Sequence, residues 1–207
     1  MMYKKAFLNF IFCSLAITGS VSANLLQNGS FEDPVVPAGS SFIEFPVMPG
    51  WIVENSNYYV VFKELGFTPV DGLNELYLFG GTATQNVGTI TADTIYNLSF
   101  AAGIPDGQTA IYSEVVLLSQ YTDGGIVYTD RLAAINLGEV VTTTNQLMYG
   151  TLTFDSSIYP WVAGRDMLVQ IASGTMLHLD DFVLTAIPEP ATLLLIAGGF
   201  TLLRRKK

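Results

Sequence analysis

The chain of 207 residues holds one cysteine, one histidine and nine lysines plus arginines, and each shortage excludes a class of chemistry. Cys13 sits in an apolar stretch near the N-terminus, in "FIFCS", which lacks the approach of a lipid-attachment site. Residues 24–207 contain no other thiol, so they form no disulfide and no thiolate nucleophile. His178 alone cannot build a multi-histidine zinc site. A serine–histidine–acid triad would have to use it, and no G-x-S-x-G elbow is present. Setting aside Lys4, Lys5 and the four cations at the C-terminus leaves Lys63, Arg131 and Arg165. Of the 18 acidic residues only Glu189 lies outside residues 24–185, so 17 face three cations there, a net charge near −14. Nothing in that balance neutralises phosphates, which excludes nucleic acid as a partner. It suits solubility and divalent cations. Residues 24–185 also lack a helical apolar stripe, an internal repeat and a linker.

The two ends read as targeting segments. "MMYKKAFLNFIFCSLAITGSVSA" has Lys4 and Lys5, an apolar run from Ala6 to Thr18, and then small residues, with Val21 and Ala23 placed for a cut before Asn24. That is the pattern of a secretory signal peptide over 1–23. At the other end, Ala191 to Leu203 is a run of 13 mostly apolar residues, followed by Arg204, Arg205, Lys206 and Lys207. As a helix it spans about 20 Å, short of the bilayer core of about 30 Å. The basic end acts as a stop on the cytoplasmic side, so the segment reads as a transient tether. "IPEPATLLLIAGGFTLLRRKK" resembles the PEP-CTERM sorting signal of Gram-negative bacteria: Pro188, Glu189 and Pro190 match its tripeptide, the apolar run its short helix, and Arg204 to Lys207 its tail. The resemblance covers 186–207. It implies processing by exosortase, a membrane transpeptidase, contact with the inner membrane through the helix, and delivery to the cell surface or a polysaccharide matrix.

Between these ends lies one domain by length, 24–185. Short apolar runs with period two alternate with turn pairs. "IYNLSFAA" puts Tyr96, Leu98, Phe100 and Ala102 on one face, and "LMYGTLTF" does the same with Met148, Leu152 and Phe154. "YYVVFK", "NELYLF", "YSEVVLLSQ", "GIVYT", "AAINL", "MLVQIA" and "MLHLDDFVL" also read as strands. Asn28-Gly29, Asp71-Gly72, Asp106-Gly107 and Asp123-Gly124 mark turns. About ten strands and no helix predict an all-β antiparallel β-sandwich, with a jelly roll as the topology.

Three patches sharpen this. "NLLQNGSFEDP" with Pro49-Gly50-Trp51, "GLNELYLFGGTATQNV", and "LHLDDFVLTA" are similar to the first, central and last strands of galactose-binding-like jelly rolls, including carbohydrate-binding modules. The resemblance implies first and last strands side by side and a structural calcium ion clamping them. Glu32 and Asp180 match the positions that supply carboxylates, with Asp181 as second candidate. It also implies a glycan-binding role. Trp51, Tyr58, Tyr59, Tyr77, Tyr112, Tyr121 and Trp161 are the candidate aromatics, with Trp51, Tyr58, Tyr77 and Trp161 the principal ones. A ring face with a polar tip stacks on a pyranose and bonds its hydroxyls. Trp51 after Pro-Gly also fits a core plug. The expectation is a surface or matrix protein that binds polysaccharide and is not an enzyme. The alternatives are a structural or adhesive matrix protein without a discrete sugar site, and a hydrolase using a carboxylate pair.

Overall fold

The computed structural model describes residues 23–63, 67–110 and 112–188. It is an antiparallel β-sandwich of jelly-roll type. The strands are β1 (Phe42–Glu44), β2 (Ile52–Glu54), β3 (Tyr58–Lys63), β4 (Asn74–Thr89), β5 (Thr94–Gly103), β6 (Glu114–Asp123), β7 (Ile126–Asn136), β8 (Met148–Asp155) and β9 (Asp166–Pro188). One helical turn, α1 (Leu137–Val140), follows β7, and a 3-10 turn, Pro160–Val162, precedes β9.

Two long strands organise the whole. β4 and β9 pair with each other from Leu76↔Leu179 to Thr89↔Asp166, with a register shift between Phe79 and Gly81. At this shift the neighbours change. The early part of β9 pairs β6, from Glu114↔Ala172 to Gln120↔Asp166, and β6 pairs β7. The late part of β9 pairs β5, from Gly103↔His178 to Thr94↔Pro188, and β5 pairs β8. On the far side of β4, β2 pairs the segment Thr82–Thr84, while β3 pairs Asn74–Phe79 and β1 pairs β3. One folded sheet thereby supplies two layers. The back layer is β7-β6-β9-β4-β2 and the front layer is β8-β5-β9-β4-β3-β1. Bulges are the usual means by which a strand passes from one layer to the other.

Glycine makes the corner possible. Gly80 and Gly81 have φ of 69° and 76°, and a Cβ on Gly81 would stand 2.4 Å from the Glu54 carbonyl oxygen. Only glycine takes that φ and that approach at low cost.

The inner faces follow the period-two pattern read above. Leu76, Leu78, Leu98, Phe100, Leu152, Phe154, Phe182 and Leu184 from the front meet Ala83, Val115, Leu117, Val169 and Ile171 from the back in one buried cluster. "GIVYT" and "AAINL" prove to be one strand, β7, and "MLVQIA" and "MLHLDDFVL" are one strand, β9. The segment 24–29 forms no regular strand, yet it lies beside the end of β9, as the resemblance implies. Leu25 N donates to Leu184 O at 2.8 Å and Phe182 N to Gly29 O at 2.9 Å. Asn24 extends the contact, its Oδ1 accepting from Leu184 N at 2.9 Å.

Candidate functional site

The outer face of the front layer is where side chains with chemistry converge. Alternation turns Val61, Leu76, Leu78, Leu177 and Leu179 inward. Their neighbours Tyr58, Val60, Phe62, Glu75, Tyr77, His178 and Asp180 therefore share the other face. Register sets Tyr77 beside both Val60 and His178, and Glu75 beside Phe62.

Aromatic rings pave this face. Tyr77 is 6.2 Å from Tyr58, 5.6 Å from Phe62 and 5.1 Å from His178, centroid to centroid. Phe62 lies parallel to His178 at 6.1 Å. Phe45, exposed at the end of β1, meets Tyr58 edge to face at 5.3 Å. Tyr58 and Tyr77 are half-buried, and each keeps part of its ring open to solvent. The Tyr58 hydroxyl donates to Glu44 Oε1 at 2.7 Å. That bond to an anion holds the phenol proton, pushing its pKa up to about 12. Burial pushes Tyr77 up as well.

Beneath the rings is a buried ionisable pair. His178 Nδ1 lies 2.9 Å from Glu75 Oε1. The Glu75 side chain has no solvent exposure, and its Oε2 has no hydrogen-bond partner. Phe67, between β3 and β4, covers the histidine, stacking on it at 3.9 Å.

The carboxylates expected to bind calcium hold the loop that follows Phe67. Asp180 Oδ2 accepts from Val70 N at 2.6 Å and Asp71 N at 3.0 Å, and its Oδ1 accepts from Asp181 N at 2.7 Å. Glu32 Oε1 accepts from Leu73 N and Asn74 N, both at 2.7 Å. Two residues 148 positions apart thus grip one loop, Val70–Asn74. Asp181 takes φ of 51° at the bulge in β9 and turns toward Tyr149 and Asp71. Among the described residues no three acidic, histidine or cysteine side chains group so as to hold a metal ion.

Burial is the main cause that raises the Asp180 pKa, to about 7, against the three N–H bonds that lower it. Burial and the nearby Asp71 also raise Asp181. The unfolded chain ionises Asp180 near its ordinary value of 3.8. Between about pH 4 and pH 7 the unfolded state has lost this proton while the folded state keeps it. The group's contribution to stability is therefore full below about pH 4, falls as pH rises, and is gone above about pH 7. Melting temperature measured from pH 4.5 to 7.5 is expected to fall less steeply in Asp180→Asn than in the native protein. Parallel curves would rule out Asp180 as the source.

Beyond the bulge the same face turns polar. Asn97 and Ser99 of β5, Thr151 and Thr153 of β8, and Val183 and Thr185 of β9 line a shallow depression of about 340 Å³. Thr153 Oγ1 donates to Asn97 Oδ1 at 2.8 Å. A larger cleft, about 590 Å³, opens elsewhere between the loop at 104–112 and the segment 136–144, lined by Gln108, Tyr112, Asn136 and Thr142 to Thr144.

Of the expected sugar contacts, the structure brings Tyr58 and Tyr77 together. Trp51 is a core side chain at 5 % exposure, with Phe31 at 5.6 Å, Phe182 at 5.8 Å and its Nε1 donating to Asn28 O at 3.1 Å. That burial fits the core plug and takes Trp51 out of the candidate sugar contacts. Trp161 is exposed but stands on the 3-10 turn with Tyr159 and Arg165. Phe62, Phe67, Glu75 and His178 were not among the expected site residues. "YYVVFK" carried a signal for Phe62, which shares its period with Tyr58. Pro188 is the last described residue and pairs with Thr94. Glu189, Pro190, Arg204 and Arg205, the C-terminal apolar run and the N-terminal segment before residue 23 lie outside the described residues. Among the described residues no helix is long and apolar enough to cross a membrane.

No protein-family model matches the sequence, and no curated protein matches it. Solved structures do resemble it in fold. A Stig cyclase from Fischerella sp. TAU is 17% identical, with 81% of this chain and 98% of that chain covered, at a TM-score of 0.63. The apo form of a cyclase from Fischerella sp. is 17% identical, with 79% and 95% covered, at 0.61. A CBM22-1 xylan-binding domain from Paenibacillus barcinonensis is 15% identical, with 81% and 97% covered, at 0.48.

Proposed function

We propose that this protein binds polysaccharide on the outer face of its front layer. The observation that carries the reading is the composition of that face: an open aromatic strip at one end and a hydroxyl-lined trough at the other. Tyr58 and Tyr77 offer ring faces to pyranoses. Glu44 and the Asn97, Ser99, Thr151 and Thr153 side chains offer donors and acceptors to sugar hydroxyls. The face is shallow and long, which suits an extended chain more than a small enclosed molecule. The role is binding without turnover. A glycan array that includes xylan, probed with and without calcium, tests this. Saturable binding without release of new reducing ends is the expected result. Release of product would make the protein a hydrolase, and no saturation on any glycan would leave a structural matrix protein.

Calcium belongs to the same proposal, on Glu32 Oε2 and Asp180 Oδ1 with backbone carbonyls completing the six to eight oxygens it takes. A cation there favours the ionised Asp180 and opposes its raised pKa. Millimolar calcium is expected to raise the melting temperature at pH 7 and to flatten its fall from pH 4.5 to 7.5. Glu32→Gln is expected to remove that effect, and an identical melt with chelator and with calcium would dismiss the ion.

Export and sorting complete the reading. The signal-peptide pattern and the Pro-Glu-Pro, apolar and basic elements support delivery to the cell surface by an exosortase-type transpeptidase. Mass spectrometry of the surface protein is expected to find the chain without Arg204 to Lys207. Recovery of an intact "LLRRKK" end would overturn it.

A further inference from the structure

A second aromatic surface lies on the back layer, apart from the face described above. Trp161, 51% exposed, caps the 3-10 turn, with Tyr159 edge to face at 6.4 Å. The Arg165 guanidinium fits between two rings, 4.6 Å from Trp161 and 3.9 Å from Tyr121. Tyr121 in turn stacks on Tyr128 at 5.1 Å across the β6–β7 pair. Asp130 Oδ2 accepts from Arg165 Nη1 at 2.7 Å and locks the guanidinium in place. A ladder of rings and one cation is thereby fixed before any ligand arrives, which removes part of the ordering cost of binding.

Charge selects the occupant. Two of the three cations of residues 24–185, Arg131 and Arg165, are at this surface. Each is already paired, Arg165 with Asp130 and Arg131 with both oxygens of Glu114. Both arginines here are therefore already compensated, within a domain of net charge near −14. An anionic chain or an acidic membrane finds no free cation here and is repelled by the domain as a whole. A neutral pyranose loses nothing to that field. It gains an indole face at Trp161, with the Tyr159 and Tyr121 hydroxyls and the Asp130 carboxylate nearby for its hydroxyls.

We infer that this ladder is a second site for a neutral polysaccharide, so that one domain engages two chains or two stretches of one chain. The inference rests on the polysaccharide reading above. Two sites per domain also crosslink long chains, which a single site does not do.

The protein has two tryptophans, and Trp51 is buried, so acrylamide quenching reports Trp161. A short neutral oligosaccharide of whichever chain binds on the array is the probe. It is expected to protect Trp161 from acrylamide and to bind with a stoichiometry of two. Trp161→Ala and the Tyr58→Ala/Tyr77→Ala pair are each expected to reduce that to one. Native protein is expected to precipitate the long chain, and Trp161→Ala to bind it without precipitation. Stoichiometry of one in native protein, unchanged in Trp161→Ala, overturns the second site and leaves the front face standing. Stoichiometry of one that is lost in Trp161→Ala and kept in the tyrosine pair overturns the front-face reading instead. Protection of Trp161 by anionic vesicles and not by sugar overturns the proposal in favour of a membrane surface.

Discussion

Trp51→Ala is expected to cost about 3–5 kcal/mol of folding stability, the range for removing a large aromatic from a packed core. Typical domains have only about 5–15 kcal/mol in total. For a chain of this size that is a fall in melting temperature of about 10 °C. The ring is walled by Phe31 and Phe182, and Phe182 is stacked in turn on Phe100 at 5.3 Å. A hole at Trp51 therefore loosens contacts to β9, to the segment that carries Phe31 and, through Phe182, to β5. Trp51→Phe keeps much of the volume but removes one of two donors to Asn28 O, leaving Phe31 N at 3.3 Å, and about 1 kcal/mol is the expected loss. Thermal melts of both variants beside glycan titrations decide the residue's role. Folded Trp51→Ala with unchanged stability and abolished binding would place the indole on the ligand, against its burial.

Tyr58→Ala with Tyr77→Ala is expected to weaken sugar binding at the front face by about 100-fold. Each ring removed costs about tenfold, or about 1.4 kcal/mol. The two rings sit 6.2 Å apart, close enough for one to brace the other. The 100-fold figure is the product of independent effects, and a double-mutant cycle measures any departure caused by coupling between the rings. Both are half-buried on the outer face rather than in the core, and a stability loss of about 1–3 kcal/mol is expected, which a thermal melt of the double variant checks. Tyr58→Phe separates stacking from hydrogen bonding: it keeps the ring and removes only the hydroxyl on Glu44. Affinity that tracks the ring and survives Tyr58→Phe is the expected pattern. Wild-type affinity in the double variant would remove these rings from the site.

How much of this was readable in the chain depends on distance along it. "YYVVFK" matches β3 residue for residue, because period-two burial is a local pattern. β9 was read as two strands, since Ser173-Gly174 reads the same whether a strand ends or bends. Only the pairing partners, β6 before the corner and β5 after it, show that the chain continues. Within the site, Tyr58 and Tyr77 were legible as residue types. Trp51 fits both a sugar contact and a core plug from sequence, because the choice is set by packing on Phe182, far along the chain. The Glu75–His178 pair joins residues 103 apart and leaves no mark on either local pattern. Glu32 and Asp180 both bond the loop Val70–Asn74, a contact between distant segments that no local pattern marks.

The place of β9 has a meaning in time as well as in space. It is the strand next to both β5 and β6 and to β4, and among the described residues it is the last strand. During synthesis, β4, β5 and β6 wait without their shared neighbour until residues 166–188 arrive. β5 pairs with β8 and β6 with β7 meanwhile, as two separate hairpin-like pieces with bare edges. Such edges invite pairing with another chain. Contacts this remote in sequence also close slowly, in milliseconds to seconds. The vulnerable period in this protein's life is therefore the interval before its final twenty-odd β residues are free to insert.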